Sequence, residues 1–564
     1  MKHFKRLFSY LVALTMVLSL AAFAGVNVHA EDSNSYKITL NNAPEGRTYK
    51  AYQIFKGDYS KGTLSNIEWG NGITATTLVS KLKGDSNFSG ITDNSTARDV
   101  AEKLSSAGND STQAKAFAKD AEASVDEAKG IASSREKNVT SISVTECGYY
   151  LIKDTTPADD QSEKTESYTR YIVKVVGADT NVDLKGNVPT VTKKVKDIND
   201  STDTTTGNWQ DSADYDIGDT VPYQITGTMP SNISDYTSYK YIFTDTMSKG
   251  LSYNGTPKTA EKDAERGNAT ITIGDKNVTN SFTENVEYLK DKQGKETGET
   301  KVTWSCGDLT KVGVTLTANT KVVVTYKCTL NSNAVIGSAG NPNTVDLTYS
   351  NNPNKGGEGE TGKTPKDTNI VFTYKTVVNK VDQNSQPLTG ADFTLYKFVE
   401  NSDGDKTYTD KDNKEHKGTW VDVTALHNGD NKVRKVVSNV NDKKNAKFSF
   451  EGIDDGYYML KETKTPSGYN TIADQYFTVE AVHDTDSKDP KLTSLSGNVV
   501  TGNADTIEMT PDKNAGSLTT NVVNKSGSTL PSTGGMGTTL LYAAGGILVA
   551  CAVAYVVLNK KHAK

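Results

Sequence analysis

Alternation of apolar and polar residues is the commonest pattern along this chain. It is clear in Val191–Val195, in Tyr241–Met247 and again in Asn343–Tyr349. Apolar side chains that recur at every second residue place one face of a strand in a core and the other in solvent. Such short runs, separated by segments rich in Gly, Asn and Asp, predict a mainly β chain built of tandem sandwich domains.

A helical pattern interrupts the strands near the start of the chain. Residues 95–137 are rich in Ala, Lys and Glu, which are good helix formers, whereas residues 36–40 and 148–152 have the composition of strands. We therefore expect the first domain to be a β domain with one or two inserted helices.

Two long apolar segments lie near the ends of the chain. Residues 1–30 have a basic start, an apolar stretch and a small-residue end, the pattern of a secretory signal peptide. Residues 539–558 contain no charged side chain and precede Lys560 and Lys561. As a helix this segment would be ~30 Å long, which predicts a transmembrane span with a basic cytoplasmic tail.

Composition excludes several classes of function. The net charge is −6 with acids and bases interspersed, so no nucleic-acid partner is expected. The six histidines are scattered and show no metal-ligand spacing, so we expect no metal and no cofactor. Because no nucleophile elbow or paired-carboxylate motif occurs either, an enzyme is not expected.

The four cysteines do not form the framework of an exported disulfide-rich protein. Cys306 and Cys328 are candidates to face each other on neighbouring strands and to form a disulfide. Cys147 would then be unpaired, and Cys551 lies in the second apolar segment.

Two lysines fall on the apolar face of their strands. Lys193 is two residues from both Val191 and Val195 and therefore has the same parity, which means that it lies on the same face of the strand. Lys380 has the same parity as Val378. Burial of a lone ammonium costs several kcal/mol, so such a lysine must be paired, lose its proton or react.

Each of the two domains that hold these lysines also has an inward-facing acid midway and an inward-facing Asn near its last strand. The sets are Lys193, Asp245 and Asn343 in one domain and Lys380, Glu462 and Asn524 in the other. Asn351 has the same parity as Asn343 and is the alternative acceptor. A third set, Lys37, Asp154 and Asn187, has similar spacing in the first domain, although Lys37 is out of phase with the apolar residues beside it.

The C-terminal region carries a recognisable processing signal. Leu530, Pro531, Ser532, Thr533 and Gly534 precede the apolar segment and the basic tail, and together they resemble the LPxTG sorting signal of Gram-positive surface proteins. The resemblance implies that a sortase cleaves between Thr533 and Gly534 and passes the acyl group to an amine. A peptidoglycan amine would give a wall protein, and a lysine of another copy would give a polymer.

Other motifs resemble the sortase-assembled major (backbone) pilins of Gram-positive bacteria. Thr48–Gly57 is similar to the start of their first domain, and Leu388–Tyr396 is similar to the start of a Cna B-type domain. The order Lys, acid, Asn resembles that of domains with an intramolecular isopeptide bond. The resemblance implies tandem Ig-like or Cna-type sandwiches in which each lysine attacks the asparagine and ammonia leaves, promoted by the acid.

The resemblance also divides the chain into segments. We expect a signal peptide at 1–30, an N-terminal pilin domain at 31–187, an isopeptide sandwich at 188–353, a linker at 354–367, a Cna B-type isopeptide domain at 368–527, and the sorting signal, membrane span and tail at 528–564.

A lysine that receives the acyl group is expected at the end of the first domain. Residues 182–187 resemble the pilin segment that carries this lysine, with Asp183 and Leu184 in place of its Tyr and Pro. Lys185 is therefore the expected pilin lysine, and Lys194, on the outer face of its strand, is the next candidate.

The function implied is that of a major structural subunit of a covalent pilus shaft, joined by bonds between Thr533 and Lys185. Expected partners are sortase, other copies of the chain, minor pilins and peptidoglycan, with host surface molecules as further candidates. The expected location is the cell wall and pilus of a Gram-positive bacterium, after a membrane-held stage. The alternative is a monomeric cell-wall-anchored adhesin, which would need no reactive Lys185.

Overall fold

The structure is a computed structural model of the 564-residue chain. It describes residues 35–43, 46–156, 167–168, 171–184, 188–202, 206–253, 269–357, 359–422, 436–438, 446–500, 507–527 and 542–553.

The chain divides into two compact units. Unit 1 contains residues 1–198, 205–373 and 482–493, and unit 2 contains residues 199–204, 374–481 and 494–564. Unit 1 includes both the first and the second expected domain, so the boundary at residue 187 stays a prediction.

The first part of unit 1 combines two small sheets with three helices. Its elements are β1 (Tyr36–Asn41), β2 (Tyr49–Ser60), β3 (Thr63–Trp69), α1 (Ala75–Gly84), α2 (Ala97–Ser105), α3 (Thr112–Glu122), β4 (Ile131–Ala132), β5 (Ser134–Glu136), β6 (Val139–Val144), β7 (Gly148–Asp154), β8 (Ile172–Val176) and β9 (Thr180–Asp183). One sheet has the order β5-β6-β1-β9, and the other has the order β3-β2-β7-β8 with β4 beside β2.

In α2, local capping and an apolar face agree. Thr96 caps α2 by accepting from the backbone N–H of Asp99, whose carboxylate accepts from Thr96 in return, a capping box. The inward face of α2 buries Val100, Ala101 and Leu104. These residues join a core shared with β2. The helices expected within residues 95–137 are present as α2 and α3, and α1 is a third helix that the pattern did not predict.

The second part of unit 1 is a large sandwich. Its strands are β10 (Val191–Asp197), β11 (Asn208–Gln210), β12 (Ser212–Asp214), β13 (Thr220–Thr228), β14 (Tyr241–Met247), β15 (Leu251–Tyr253), β16 (Thr270–Ile273), β17 (Lys276–Asn277), β18 (Thr283–Lys290), β19 (Glu296–Cys306), β20 (Lys321–Leu330), β21 (Asn341–Ser350), β22 (Thr361–Lys363) and β23 (Asp367–Phe372). One sheet has the order β11-β10-β13-β20-β16-β17 with β15 on β20, and the other has the order β12-β23-β21-β14-β19-β18 with β22 on β21.

The expected linker at residues 354–367 is wrong. Within it, β22 pairs with β21, and β23 begins at Asp367 and also pairs with β21. Glycine and charge made this segment look like a linker, but its backbone contributes strands to a sheet, in which β23 lies between β12 and β21. In unit 2, the segment that follows residues 199–204 begins at Tyr374, whereas the third domain was expected to begin at residue 368.

Unit 2 holds the third sandwich. The strands are β24 (Tyr374–Asp382), β25 (Asp392–Glu400), β26 (Lys406–Thr409), β27 (Glu415–Asp422), β28 (Val436–Ser438), β29 (Lys447–Ile453), β30 (Gly456–Lys464), β31 (Gln475–His483), β32 (Leu492–Val500), β33 (Thr510–Asp512) and β34 (Ser517–Asn524). The sheets have the orders β28-β29-β24-β34-β33 and β26-β27-β25-β30-β31-β32, and β24 pairs with β34 in parallel.

The mainly β fold class is confirmed, and the ends of the chain add little to it. Residues 542–553 are helical. None of the helices in the described ranges is long and apolar enough to cross a membrane. The expected span at residues 539–558 lies partly, and the expected signal peptide at residues 1–30 wholly, outside the described residues.

Candidate self-cross-linking sites

Lys193 is fully buried on β10, as its parity predicted. Val191 and Val195 point into the same core, and the exposed fraction of Lys193 is 0%. β10 pairs with β13, so the lysine lies in one sheet while Asp245 on β14 and Asn343 on β21 lie in the opposite sheet. The three predicted residues therefore come from both layers of the sandwich.

The ammonium group of Lys193 is surrounded by one acid and two phenols. Its Nζ donates to the carboxylate of Asp245 and to the hydroxyl of Tyr326 at 2.5 Å. The rings of Tyr223 and Tyr326 lie 5.0 and 5.1 Å from Nζ. Burial lowers the pKa of Lys193 below its usual range, because the charged form is poorly solvated there, and Asp245 opposes this shift.

Tyr326 joins the acid to the amide. Its hydroxyl donates to Asp245 Oδ2 at 2.5 Å and accepts from Asn343 Nδ2 at 3.0 Å. Burial raises the pKa of Tyr326 well above its usual value, so the phenol keeps its proton. Sequence reasoning missed this residue, although its parity with Val324 and Cys328 on β20 marks it as inward-facing.

Asn343, and not Asn351, belongs to this site. The carbonyl Oδ1 of Asn343 is buried and accepts no hydrogen bond from the described residues. Asn351 is also buried, but it follows the end of β21, about 26 Å further along an extended chain. The alternative acceptor is therefore too far away.

Lys380 is the corresponding lysine of unit 2. It is fully buried on β24, and its Nζ donates to the backbone carbonyls of Val522 at 2.9 Å and Val381 at 3.3 Å. Burial lowers the pKa of Lys380 to about 8, with Glu462 opposing the shift. A substantial fraction of this amine is therefore neutral near pH 8.

Glu462 and Asn524 are in direct contact beside this lysine. Asn524 Nδ2 donates to both carboxylate oxygens of Glu462, at 2.9 and 3.1 Å. Lys380 is level with Val522, and Asn524 is two residues further along the neighbouring parallel strand, on the same face. As in unit 1, the amide Oδ1 of Asn524 is buried and no described residue donates to it.

Both sites bring together the groups needed for amide formation. A desolvated lysine tends towards the neutral amine, which is the nucleophilic form. The adjacent carboxyl group can move protons, and the asparagine carbonyl has an unoccupied acceptor position. Attack of Nζ on the side-chain carbonyl carbon, with loss of ammonia, would give a lysine–asparagine amide.

The low pKa of Lys380 makes stability depend on pH when the bond cannot form. In an Asn524→Ala variant, the folded lysine releases its proton near pH 8, whereas the unfolded lysine keeps it up to its usual value of 10.5. The unfolded state binds more protons between these values, so the free energy of unfolding is expected to rise with pH there, by at most ~1.4 kcal/mol per pH unit. Urea unfolding at pH 7, 8, 9 and 10 measures this slope. A flat profile would contradict the assignment of Lys380 as a desolvated amine.

The third set, in the first domain, is not assembled. Lys37 is exposed on β1, whereas Asp154 is buried at the end of β7, where Arg47 Nη1 contacts it at 3.1 Å. The Arg47 guanidinium also lies 4.5 Å from the centroid of the Tyr168 ring. Asn187 lies outside the described residues. Asp154 therefore does not lie beside Lys37 as the acid that would promote a bond from Lys37 to Asn187, because Lys37 is exposed to solvent and Asp154 contacts a buried arginine.

The expected disulfide is also wrong. Cys306 and Cys328 are both buried free thiols. Cys306 ends β19 in one sheet and Cys328 lies on β20 in the other, where its Sγ is 3.6 Å from the sulfur of Met247. The two strands follow one another in sequence but not in space, because the chain crosses between the layers.

The remaining predicted site residues are the two candidate acceptor lysines and the sorting signal. Lys185 and Leu530–Gly534 lie outside the described residues. Lys194 points outward from β10 as predicted, and its Nζ contacts Asp211 at 2.7 Å. This ion pair makes Lys194 a less available nucleophile than an unpaired surface lysine.

One cluster in unit 1 has the residue types of a cation site. Asp197, Asp214 and His483 have ligand atoms within 4.8 Å of one another. Burial lowers the pKa of His483 to about 4, so its imidazole is neutral at pH 7, and Nδ1 lies 2.7 Å from Ser212 Oγ. The expectation that the chain uses no metal stays a prediction.

Comparison with known proteins identifies both sandwiches that carry the sites. Residues 217–353 match the family model described as Gram-positive pilin backbone subunit 2, Cna-B-like domain, and residues 375–493 match the model of the SpaA prealbumin-like fold domain. A trypsin-resistant surface T6 protein of Streptococcus pyogenes serotype M6 is 26% identical over 306 residues, which are 52% of this chain and 46% of that protein. The match thus spans about half the length of that relative.

Solved structures similar to the chain include two pilins. The T6 backbone pilin of serotype M6 Streptococcus pyogenes superposes with a TM-score of 0.47 and 15% identity, over 89% of this chain and 100% of that one. The major pilin SpaD of Corynebacterium diphtheriae gives 0.40 and 16%, over 89% and 99%. Residues 217–353 and 375–493, which lie in the two sandwiches that carry the sites, are thus each similar to a domain type of Gram-positive pilins.

Proposed function

We propose that this chain is the major structural subunit of a covalent, sortase-assembled pilus shaft. The observation that carries the proposal is the pair of buried lysine–acid–asparagine sites, Lys193 with Asp245 and Asn343, and Lys380 with Glu462 and Asn524. Internal amides at these sites suit a subunit that must transmit tension. The role is structural, since each self-reaction occurs once and regenerates no catalyst.

The proposed internal reaction is the same at both sites. The neutral lysine Nζ attacks the asparagine Cγ, the acid shuttles a proton from Nζ to the departing amide nitrogen, and ammonia leaves. In unit 1 the phenol of Tyr326 contacts the lysine, the acid and the amide, so it can hold these three side chains in position for the reaction. In unit 2 Glu462 contacts the amide directly.

The proposed polymer joins Thr533 of one copy to Lys185 of the next. Such a head-to-tail contact uses different surfaces on the two copies and does not close, so it produces filaments. Sortase forms the bond, minor pilins and peptidoglycan are the further partners, and the shaft stands on the surface of a Gram-positive cell. Host surface molecules are candidate ligands of the finished fibre.

A denaturing blot of wall extracts tests the polymer. Cells that make the wild type are expected to give a ladder of high-mass species, and Lys185→Ala is expected to leave monomer. Lys194→Ala is the matched control, because it removes a nearby outward lysine, and it should keep the ladder.

Three other results would change the proposal. A ladder in Lys185→Ala that disappears in Lys194→Ala would transfer the acceptor role to Lys194. A ladder that survives both substitutions would require another lysine. Monomer in the wild type would favour the wall-anchored adhesin.

A further inference from the structure

A third fully buried lysine lies in unit 2. Besides Lys193 and Lys380, Lys397 is the one other lysine with 0% exposure among the described residues of the two units. It lies on β25 and has the parity of Phe393 and Leu395, which are both buried. Its position in a core raises the same requirement for a partner or a reaction.

Two carboxylates contact the ammonium group of Lys397. Its Nζ contacts Oδ1 of Asp454 and Oδ1 of Asp200, whose side chains are 2% and 26% exposed. The hydroxyl of Tyr458 donates to Asp454 Oδ1 at 3.1 Å, and the Tyr458 ring centroid lies 5.9 Å from Nζ.

This arrangement repeats that of the site around Lys193. In both sites a buried lysine contacts a deeply buried aspartate, and a tyrosine hydroxyl donates to that aspartate while its ring lies near Nζ. Asp454 therefore corresponds to Asp245. The third group at Lys193 is an asparagine, whereas at Lys397 it is the carboxyl group of Asp200.

The backbone fixes Asp200 beside the lysine. Glu400 N–H donates to the carbonyl of Asp200 at 2.8 Å, and Ser201 Oγ donates to the carbonyl of Phe398 at 2.8 Å while it accepts from Tyr457 N–H at 3.2 Å. The segment thus binds to both strands that flank the site, β25 and the start of β30.

Gly456 leaves the space that this approach needs. Its φ is +147°, and a Cβ there would lie 2.6 Å from Ser201 Oγ and 3.2 Å from Lys397 Cε. A side chain at this position would push the Asp200 segment away from the lysine.

We propose that Lys397 forms an intramolecular amide with Asp200, with Asp454 as the proton-transfer group. The neutral Nζ attacks Cγ of the protonated Asp200 carboxyl group and forms the C–N bond. Asp454 takes a proton from the nitrogen and returns it to the departing hydroxyl, which leaves as water. One amine and one carboxylic acid become one amide and one water, so no oxidant or cofactor is required.

Asp200 is the acceptor because Asp454 already occupies the position of the acid. Asp454 is held by Tyr458 through two contacts, since the same hydroxyl also lies 3.1 Å from the backbone carbonyl of Asp454. An acid that must take up and return a proton is best left unacylated. The bond would close a loop between positions 200 and 397, a separation comparable with that of the lysine–asparagine pairs. The inference does not depend on polymerisation.

Tandem mass spectrometry of protease digests of the full chain tests the inference. The expected product is a branched peptide that joins Lys397 to Asp200 and lacks the mass of one water, with no tryptic cleavage after Lys397. Asp200→Ala is expected to abolish it. Asp200→Asn is expected to restore a branch that lacks ammonia instead of water, which a merely structural ion pair cannot do.

Two further variants test whether Asp454 is needed for the reaction and whether any change of an acid in this unit prevents it. Asp454→Ala is expected to leave Lys397 and Asp200 unlinked, and circular dichroism shows whether the variant is folded. Asp405→Asn, which alters an exposed ion pair in the same unit, is the matched control and should keep the branch. Free Lys397 in folded wild-type protein would overturn the proposal, and so would a branch from Lys397 to Asp454.

Discussion

Lys193→Ala is expected to lower the free energy of unfolding of the second sandwich far more than Lys194→Ala, although the two lysines are adjacent. Lys193→Ala prevents an amide that would join positions 193 and 343, and closure of a loop of that length contributes about 5 kcal/mol. Lys194 has an outward, partly exposed ion pair with Asp211, whose loss costs at most ~1 kcal/mol.

Urea unfolding followed by tryptophan fluorescence measures this difference. Trp304 is buried with its ring centroid 5.2 Å from that of Tyr326, so it reports on the core that contains the site. The midpoint for Lys193→Ala is expected to fall by roughly 2 M relative to Lys194→Ala. Intact mass should show one fewer ammonia lost in Lys193→Ala alone. Equal midpoints in the two variants would contradict a covalent role for Lys193.

Glu462→Ala is expected to make the third sandwich extensible under force. β24 and β34 are parallel neighbours, with Lys380 and Asn524 near the ends of both strands. With the Lys380–Asn524 amide in place, and in an Asp200→Ala background that lacks the proposed link to Lys397, tension passes along β24, across the bond and out at Asn524, so residues 381–523 carry no load. Without Glu462 the amide is not formed, and unfolding should release these residues, on the order of 500 Å of extended chain.

Single-molecule pulling on the full chain distinguishes the two states. Measured in the Asp200→Ala background throughout, the otherwise wild-type chain should show no extension step from this sandwich, and Glu462→Ala should show one of the stated length. Glu451→Ala is the matched control, because it removes a half-buried acid of the same sandwich that lies away from Asn524. An identical extension step in wild type and Glu462→Ala would refute the proposed bond.

Local periodicity predicted much of the two sites. The period of two along β10 and β24 marked Lys193 and Lys380 as inward-facing, and both are fully buried. The same rule placed Asp245, Asn343, Glu462 and Asn524 inside. It worked because the direction of a side chain on a strand depends only on its neighbours in sequence.

Periodicity does not specify which residue lies across the sandwich. Asn343 and Asn351 have equal parity, and only the position of β21 in its sheet selects Asn343. Cys306 and Cys328 looked like neighbours because their strands are consecutive, but the two strands lie in different sheets. Asp154 looked like a partner for a lysine until the fold placed Arg47 beside it.

The sequence by itself determined the mainly β class, the helical insertion, the order lysine–acid–asparagine in two domains, and the resemblance to backbone pilins. These features depend on local patterns and on motifs that are contiguous in the chain. The tertiary structure decided the acceptor for Lys193, the role of Tyr326, the pairing of residues 361–372 within a sheet, and the meeting of Lys397 with Asp200. These depend on strand order and on the packing of two layers about 10 Å apart, which bring together residues far apart in sequence.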